Sequence, residues 1–183
     1  MIVANVPQPR SCTGFGRNRL FCLGRVAGDA MPDLDNVDRK LLALLQKDDR
    51  LALADLSKAI GVPASTLNDR IKRLVARRVI TGFHAHVAPE AFGLELLAFV
   101  FVGWSDPKVE AAFLKKIESA PAVLECHHIT GAWNYLLKVR VPTTREFEKF
   151  LAETIKAVHG VERTETMIVL SSAKETWVID APK

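Results

Sequence analysis

The stretch Ala54 to Ile80, ADLSKAIGVPASTLNDRIKRLVARRVI, has the pattern of two short helices joined by a tight turn, with cations concentrated on the second helix. Gly61 stands where a helix end favours a left-handed backbone, and Pro63 follows soon after and prevents continuation. Apolar residues mark one face of each predicted helix at helical spacing: Leu56, Ala59, Ile60, Leu67, Ile71 and Leu74. The stretch therefore predicts a helix, a sharp turn and a second helix.

The other face of the second predicted helix has the composition of a surface that reads DNA. With the apolar face turned inward, the outward residues are Ser65, Asn68, Asp69, Lys72 and Arg73. Arginine binds guanine edges, asparagine binds adenine, and hydroxyl groups bind phosphate. This pattern favours a helix that enters a DNA major groove.

A further helix precedes this pair. Asp35 is a typical N-cap, Asp38 occupies the third helical position, and both carboxylates suit the positive end of a helix. The inward residues of this helix are Val37, Leu41, Leu44 and Leu45. Three helices from about residue 35 to 77 can enclose a small core and leave the third helix exposed on one side. Residues 80–87 predict a short wing or hinge strand ending at Pro89.

Beyond Gly93 the pattern changes to strand, helix, strand, strand, helix, strand. The predicted strands and helices are, in order, Leu96–Trp104, Pro107–Ser119, Val123–Ile129, Trp133–Val141, Thr144–Val158 and Val161–Leu170. This order is typical of a ferredoxin-like βαββαβ fold, with both helices on one face of the sheet. The predicted class is α+β, with a disordered tail at residues 1–33, a helix-turn-helix domain at 34–95 and a ferredoxin-like domain at 96–183.

The first predicted strand, LLAFVFVGW from Leu96, is apolar on both faces. A monomer with this fold would expose one of these faces to water. A second subunit related by a twofold axis can cover it. A dimer also presents two reading helices to a palindromic DNA site.

Composition excludes several classes of protein. The chain has 183 residues, 49% hydrophobic and 25% charged, which is ordinary for a soluble globular protein. The segment Leu94–Trp104 is too short for a membrane span and contains Glu95. The three cysteines are an odd number without metal-type spacing, so neither a disulfide framework nor a zinc site is favoured, and a reducing cytoplasm fits.

The net charge of +4 is unevenly distributed along the chain. Residues 31–82 carry +3, whereas residues 83–183 carry −2. The cationic part is also the part with the helix-turn-helix pattern. The two signals together favour a module that binds phosphate.

The first 30 residues show neither helical periodicity nor strand alternation. They combine Pro7, Pro9 and scattered arginines, and we interpret them as disordered. Met31 immediately precedes the first well-patterned segment. We interpret Met31 as the natural start, which makes the upstream segment a start-site artefact or a dispensable tail.

These features together resemble the Lrp/AsnC family of bacterial and archaeal transcription regulators, from Leu34 to about Trp177. The motifs that carry the resemblance are LDNVDRKLLALLQKDDR from Leu34, ASTLNDRIKRL from Ala64, TGAWNYLLKV from Thr130 and VERTETMIVLSSAKET from Val161. The resemblance implies an N-terminal domain that binds double-stranded DNA and a C-terminal domain that pairs into dimers and often assembles into octamers. It also implies control by a small effector, commonly an amino acid.

By this resemblance the recognition helix is Pro63 to Arg77. The residues it implies as DNA contacts are Ser65, Thr66, Asn68, Asp69, Arg70, Lys72, Arg73 and Arg77, and we add Arg78 as a predicted phosphate contact from its charge. The alternative is that Arg70 and Arg73 are solvated cations paired with Asp69. Two positions depart from the family pattern, since Pro63 replaces a usual capping serine and Arg78 replaces a glycine that often closes the helix.

The resemblance places an effector site at the loop TGAWNY, between two strands at the subunit interface. The implied effector contacts are Thr130, Gly131, Ala132, Trp133, Asn134, Tyr135, Thr164 and Thr166. The alternative is that Trp133 and Tyr135 are interface core. The family loop usually carries aspartates that meet a ligand ammonium, whereas this chain has Ala132 and Asn134, which weakens the expectation of a free amino acid.

Two other functions compete with an effector-controlled regulator. An architectural DNA-binding protein would share the first domain and lack effector control. A small ferredoxin-like enzyme would draw on His84, His86, Glu125, His127 and His128. No nucleophile, phosphate loop or paired-carboxylate motif accompanies these histidines, so the sequence predicts no catalytic residue, metal or cofactor.

Overall fold

The computed structural model describes residues 33–179 of the 183-residue chain. The predicted tail at residues 1–33 therefore lies, apart from Asp33, outside the described residues, and so does Met31. The described residues form two compact units, residues 33–85 with 174–179 and residues 86–173. No described helix combines the length and apolar character that crossing a membrane requires.

The first unit is built on three helices, α1 (Asn36–Lys47), α2 (Leu53–Ile60) and α3 (Ala64–Ala76). The Asp35 side chain caps α1 by accepting a hydrogen bond from the Asp38 N–H at 2.8 Å, as predicted. The buried core residues are Leu41, Leu45, Leu56, Leu67, Ile71 and Leu74. Burial of each contributes about 1.5–3 kcal/mol, so this apolar core holds the three helices together.

The turn between α2 and α3 has the predicted geometry. Gly61 adopts φ +79° and donates its N–H to the Ser57 carbonyl at 2.8 Å. Glycine adopts this left-handed conformation without steric cost. Ala59 is exposed rather than buried, because the eight-residue α2 packs through Leu56 and leaves Ala59 on the solvent side.

Helix α3 ends through Arg78, which has φ +56°, the only positive φ at a non-glycine residue among residues 33–179. The N–H groups of Arg78 and Val79 bond to the carbonyls of Val75 and Leu74 at 3.0 and 2.9 Å. Arg78 thus terminates the helix as a glycine would. A side chain in this conformation costs about 1–2 kcal/mol.

Replacing Arg78 by glycine is therefore expected to raise the free energy of unfolding of the first unit by about 0.5–1 kcal/mol. Arg77→Gly is the matched control, because Arg77 has φ −81° and gains nothing from glycine's freedom. Urea denaturation followed by circular dichroism measures both. Equal or lower stability of Arg78→Gly would contradict the strain assigned to this position.

The predicted wing or hinge strand at residues 80–87 is wrong, because residues 81–88 form no regular secondary structure. A strand requires a hydrogen-bonding neighbour, and no described segment pairs with these residues. A short 3-10 helix, Pro89–Phe92, follows and ends at Gly93 with φ +67°.

The second unit contains a four-stranded antiparallel sheet. Its strands are β1 (Leu96–Gly103), β2 (Val123–His128), β3 (Tyr135–Val141) and β4 (Arg163–Ile168), in the spatial order β2-β3-β1-β4. Helix α4 (Val109–Glu118) connects β1 to β2, and α5 (Thr144–Phe150) follows β3. The predicted ferredoxin-like fold is confirmed.

The two faces of this sheet differ in their cover. Residues directly opposite on neighbouring strands share a face, and Val100 pairs with Leu137 and with Thr166. The face that contains Val100 packs against both helices, with a core that includes Ala98, Val102, Phe113, Ile117, Val139, Phe147, Phe150 and Ile155. No described helix covers the other face, here called the open face, which carries Phe99, Phe101, Leu136, Lys138 and Met167.

The last predicted helix forms in two parts. Thr143 caps α5 by accepting a hydrogen bond from the Glu146 N–H at 3.2 Å. A π-helical turn, Leu151–Ile155, then continues the chain and places Ile155 fully in the core. The wider turn shortens the regular helix that the sequence predicted over residues 144–158.

Residues 174–179 belong by their contacts to the first unit, although the predicted ferredoxin-like domain at 96–183 includes them. The Gln46 side chain of α1 holds them through both of its amide atoms. Its Nε2 donates to the Ile179 carbonyl at 3.0 Å, and its Oε1 accepts from the Ile179 N–H at 2.7 Å. A side chain and a backbone so far apart in sequence leave no local pattern from which this pairing could be predicted.

Candidate functional site

Helix α3 presents a polar outer surface, here called the α3 surface, that contains the predicted DNA contacts. Among them the solvent-exposed residues are Ser65, Thr66, Asp69, Lys72, Arg73, Arg77 and Arg78, and the half-buried ones are Asn68 and Arg70. Four exposed cations therefore accompany one exposed carboxylate. Asp69 forms no ion pair with any described cation, so the predicted alternative, in which it neutralises Arg70 and Arg73, is wrong.

The beginning of α3 also suits an anion. Pro63 provides no side-chain cap, and the first turn contains no acidic residue. The first N–H groups of a helix point along its axis and carry partial positive charge. Ser65 and Thr66 lie beside these groups, so a phosphate placed there would meet both N–H and hydroxyl donors.

Arg70 lies at the inner edge of the α3 surface and joins α3 to α1. Its Nη1 donates to Asp38 at 2.8 Å and to Asp35 at 2.5 Å. The Asp38 side chain is only 4% exposed, whereas that of Arg70 is 22% exposed. The predicted role of Arg70 as a DNA contact is therefore secondary to its pairing inside the unit. Arg73 differs, because it is 54% exposed and approaches Asp38 only to 3.9 Å.

These contacts make the junction of α1 and α3 sensitive to acid. The hydrogen bond from the Asp38 N–H, followed by the Arg70 guanidinium, lowers the pKa of Asp35 below its ordinary 3.8. A carboxyl whose pKa is lower in the folded state stabilises the fold fully above its ordinary pKa. That contribution is lost as the pH falls below 3.8 and through the folded pKa.

The loop between β2 and β3 is fixed to the end of β1 by Asn134. Its N–H donates to the Val102 carbonyl at 3.0 Å, and its Oδ1 accepts from the Trp104 N–H at 2.8 Å. Gly131 has φ +107°, and no atom lies within 4 Å of the position a Cβ would occupy. The loop therefore offers open backbone at Gly131, while the Asn134 side chain already serves the fold.

Trp133 lies at the centre of this loop in a cluster drawn from three segments. Its ring lies 6.0 Å from the Phe101 ring, which belongs to the open face. The Arg163 guanidinium carbon lies 4.7 Å from the Trp133 ring centre, and Arg163 also donates a hydrogen bond to the Ala132 carbonyl. Aromatic faces attract such cations, so Trp133 and Arg163 fix each other's position.

Three of the other predicted effector residues, Tyr135, Thr164 and Thr166, do not join this cluster. Tyr135 is buried, and its hydroxyl donates to Glu110 Oε1 at 2.6 Å. Burial, together with this hydrogen bond, raises the pKa of Tyr135 far above its ordinary value. Tyr135 is therefore a core residue of the helix-covered face, rather than the pocket wall or the interface core that the sequence predicted.

Thr164 and Thr166 lie on the opposite side of the sheet from the Trp133 ring. Thr164 pairs with Val102 and Thr166 pairs with Val100, so both lie on the helix-covered face. Because side chains alternate along a strand, the β4 residue that reaches Trp133 is the neighbouring Arg163. The prediction that Thr164 and Thr166 lie at this site is therefore wrong, and Arg163, which does contact Trp133, was not predicted. A register for the β1–β4 pair would have identified it.

The histidines named for the enzymatic alternative are dispersed. His127 contacts Glu125 at 3.1 Å, whereas His128 stacks on Tyr135 at 4.9 Å on the other face. His84 and His86 lie in the segment without secondary structure. Among residues 33–179 no three His, Cys, Asp or Glu side chains are placed to hold a metal ion. Burial raises the pKa of Cys126 to about 11, which disfavours its thiolate.

A cavity of about 400 Å³ lies at the other end of β3 from the loop. Its lining is mostly apolar and includes Leu94, Val141 and Phe150, and the charged residues in the lining are Arg140, Glu146, Lys149 and Glu153. None of the predicted effector residues lines it. The cavity and the loop are therefore separate features of the second unit.

Comparison with known proteins identifies both units. Residues 34–81 match a family described as winged helix-turn-helix DNA-binding, and residues 97–179 match the Lrp/AsnC ligand binding domain. The chain is 38% identical over 148 residues to the proline dehydrogenase transcriptional activator of Rhizobium radiobacter, covering 80% of this chain and 95% of that protein.

Two further relatives are also transcriptional regulators. The leucine-responsive regulatory protein of Escherichia coli (strain K12) is 34% identical over 146 residues, covering 79% of this chain and 89% of that protein. The solved structure of a transcriptional regulator from Neisseria meningitidis in complex with L-methionine has a TM-score of 0.76 and 29% identity, covering 80% of this chain and 96% of that chain. With the three-helix unit, the ferredoxin-like sheet and these matches, the chain belongs to the Lrp/AsnC family of DNA-binding transcriptional regulators.

Proposed function

We propose that this protein is a sequence-specific regulator of transcription whose DNA binding is modulated by a small effector bound in the second unit. The observation that carries the proposal is the α3 surface, where Lys72, Arg73, Arg77 and Arg78 are exposed together. We propose a cytoplasmic location for this regulator.

The α3 surface supplies both kinds of contact that a DNA reader needs. Lys72, Arg77 and Arg78 suit phosphates on either side of a groove, because their side chains are long, charged and exposed. Arg73 and Asn68 suit base edges, because guanidinium groups pair with guanine and carboxamide groups pair with adenine. Arg70 contributes by holding α3 against α1 rather than by reading bases.

The open face supports a homodimer. It carries Phe99, Phe101 and Leu136 on adjacent strands, and Met167 on β4 is 51% exposed. Burying these side chains against the same face of a second copy would remove apolar surface from water. Two copies would also present two α3 helices to one DNA site. Further assembly of dimers into an octamer is the family expectation for this chain.

The loop at residues 130–135 is the proposed effector site. Gly131 leaves space for close approach, and Trp133 is only half-buried. A relative of the same fold was solved with L-methionine, which supports a small amino-acid-like ligand for this chain. We further infer that the protein works by binding rather than by catalysis, since Tyr135, Cys126 and His128 all serve packing in the second unit.

Genome-wide capture of DNA fragments by the purified full chain tests the proposal. We expect enrichment of a small set of sites with twofold symmetry, and a change in their occupancy when amino acids and related acids are added. Uniform capture of all fragments would instead indicate an architectural protein. Absence of capture at low ionic strength would contradict DNA binding altogether.

A further inference from the structure

We propose that residues 174–179, here called the C-terminal strap, increase the DNA affinity of the α3 surface when they dock on α1 through Gln46. DNA binding in turn favours the docked strap. The proposed function assigns these residues no role, but the proposal takes from it the DNA binding of the α3 surface. Its basis is the pair of hydrogen bonds between Gln46 and Ile179, here called the clamp.

The clamp holds the strap by its backbone. The Gln46 Nε2 donates to the Ile179 carbonyl at 3.0 Å, and the Gln46 Oε1 accepts from the Ile179 N–H at 2.7 Å. One side-chain amide thereby pairs with both polar groups of a single residue, as a neighbouring strand would in a sheet. The Ile179 side chain is 76% exposed, so it contributes little apolar burial to docking.

The strap can leave α1 while the rest of the first unit stays folded. Residues 171–179 are all exposed, and none of them belongs to a helix or strand. Water replaces an exposed hydrogen bond with a small change in free energy, and Gln46 is itself exposed. Segments with exposed backbone hydrogen bonds open locally before a protein unfolds. The docked strap and the open strap are therefore two states of one folded unit.

Helix α1 connects the strap to the surface that binds DNA. Gln46 lies in the last turn of α1, whereas Asp38 in its first turn accepts a hydrogen bond from Arg70 of α3 at 2.8 Å. Between these positions Leu41 and Leu45 are buried in the core that α1 shares with α3. Docking therefore restrains α1 at one end and, through α1, narrows the range of positions that α3 adopts. A restrained α3 loses less entropy when it enters a DNA groove, which increases affinity.

Two substitutions in the full chain open the clamp from opposite sides. Gln46→Ala removes both hydrogen bonds, and Ile179→Pro removes the N–H that donates to Gln46. We expect each substitution to weaken binding of a captured DNA fragment by about fivefold or more in gel-shift titrations. The double variant should lose no more affinity than Gln46→Ala alone, because both substitutions disrupt the same contact.

Two matched variants leave the clamp intact. Ile179→Ala shortens the side chain but keeps the backbone N–H and carbonyl that Gln46 binds. Asn36→Ala removes an exposed amide from the same helix. Both should bind the fragment as tightly as the unaltered chain does. Urea denaturation of every variant shows the fraction that is folded in the binding assay, so a loss of affinity through unfolding is recognised.

Hydrogen exchange at the Ile179 amide distinguishes coupling from structural support alone. If docking favours DNA binding, DNA must favour docking by the same factor. Exchange of the Ile179 N–H in the unaltered chain, followed by nuclear magnetic resonance, should therefore slow when the fragment is added. The slowing should match the factor by which Gln46→Ala weakens DNA binding.

Three results overturn the proposal while leaving DNA binding itself intact. The first is unchanged DNA affinity of Gln46→Ala. The second is a loss of affinity in Ile179→Ala as large as that in Ile179→Pro, and the third is Ile179 exchange that DNA does not slow. Failure of the unaltered chain to bind any fragment at low ionic strength would defeat the proposed function as well.

Discussion

Replacing Arg70 by alanine is expected to lower the free energy of unfolding of the first unit by about 2–3 kcal/mol, because it leaves a buried carboxylate without its cation. Asp38 is 4% exposed and loses its 2.8 Å hydrogen bond. This expected loss of stability is smaller than the loss on breaking a fully buried ion pair, because the Arg70 side chain is 22% exposed and that of Asp35 is 51% exposed. Urea denaturation followed by circular dichroism measures the change.

Two controls separate the charge pair from general effects of the substitution. Lys72→Ala removes an exposed cation from the same helix and should change stability by less than about 0.5 kcal/mol. The double variant Asp38→Leu with Arg70→Met replaces the pair by apolar side chains and should recover most of the lost stability. If Arg70→Ala lowered the free energy of unfolding by less than about 1 kcal/mol, the prediction would be wrong. Water would then replace the hydrogen bond that Asp38 loses.

The elements of this fold that follow from local pattern were predictable from the sequence. The three helices of the first unit follow from apolar residues at helical spacing, and Gly61 and Pro63 mark the turn between α2 and α3. The order of strands and helices in the second unit follows in the same way, since each element is amphipathic or apolar over its own length.

The features that depend on a distant partner were not predictable. The segment at residues 81–88 has the composition of a strand, but a strand forms only where a neighbour supplies hydrogen bonds. Arg70 was predicted to contact DNA because its position on α3 is visible in the sequence, whereas its pairing with Asp35 and Asp38 at the start of α1 is not. Its half-buried position then emerges only from the packing of α1 against α3.

Dependence on distant partners also explains why some of the predicted effector residues do not lie at the loop of residues 130–135. Sequence identifies residues 130–135 by their motif, but strand register decides which β4 residues face Trp133. A shift of one residue moves every side chain to the other face, so Thr164 and Arg163 exchange roles. Tyr135 was equally ambiguous, because an aromatic residue at the start of a strand suits both a pocket wall and a core. Its hydrogen bond to Glu110 resolves the choice.

Replacing Arg73 by alanine is expected to weaken binding to a specific DNA fragment by about 1–3 kcal/mol per contact if Arg73 reads a base, and by less if it touches only phosphate. Arg73 is 54% exposed, and its approach to Asp38 at 3.9 Å is too long to fix its side chain. Stability should therefore change little, in contrast to Arg70→Ala. Gel-shift titration at several salt concentrations measures the affinity.

Arg50→Ala is the matched control for Arg73→Ala, because Arg50 is an 83% exposed cation of the same unit that lies outside α3. If binding depended only on net charge, both variants would lose affinity equally, on specific and nonspecific fragments alike. If α3 enters the groove, only Arg73→Ala loses affinity substantially, and the loss is greater on the specific fragment than on random DNA. Unchanged affinity of Arg73→Ala would show that Arg73 does not contact the DNA. Equal losses of affinity in both variants would indicate nonspecific electrostatic binding without recognition of a sequence by α3.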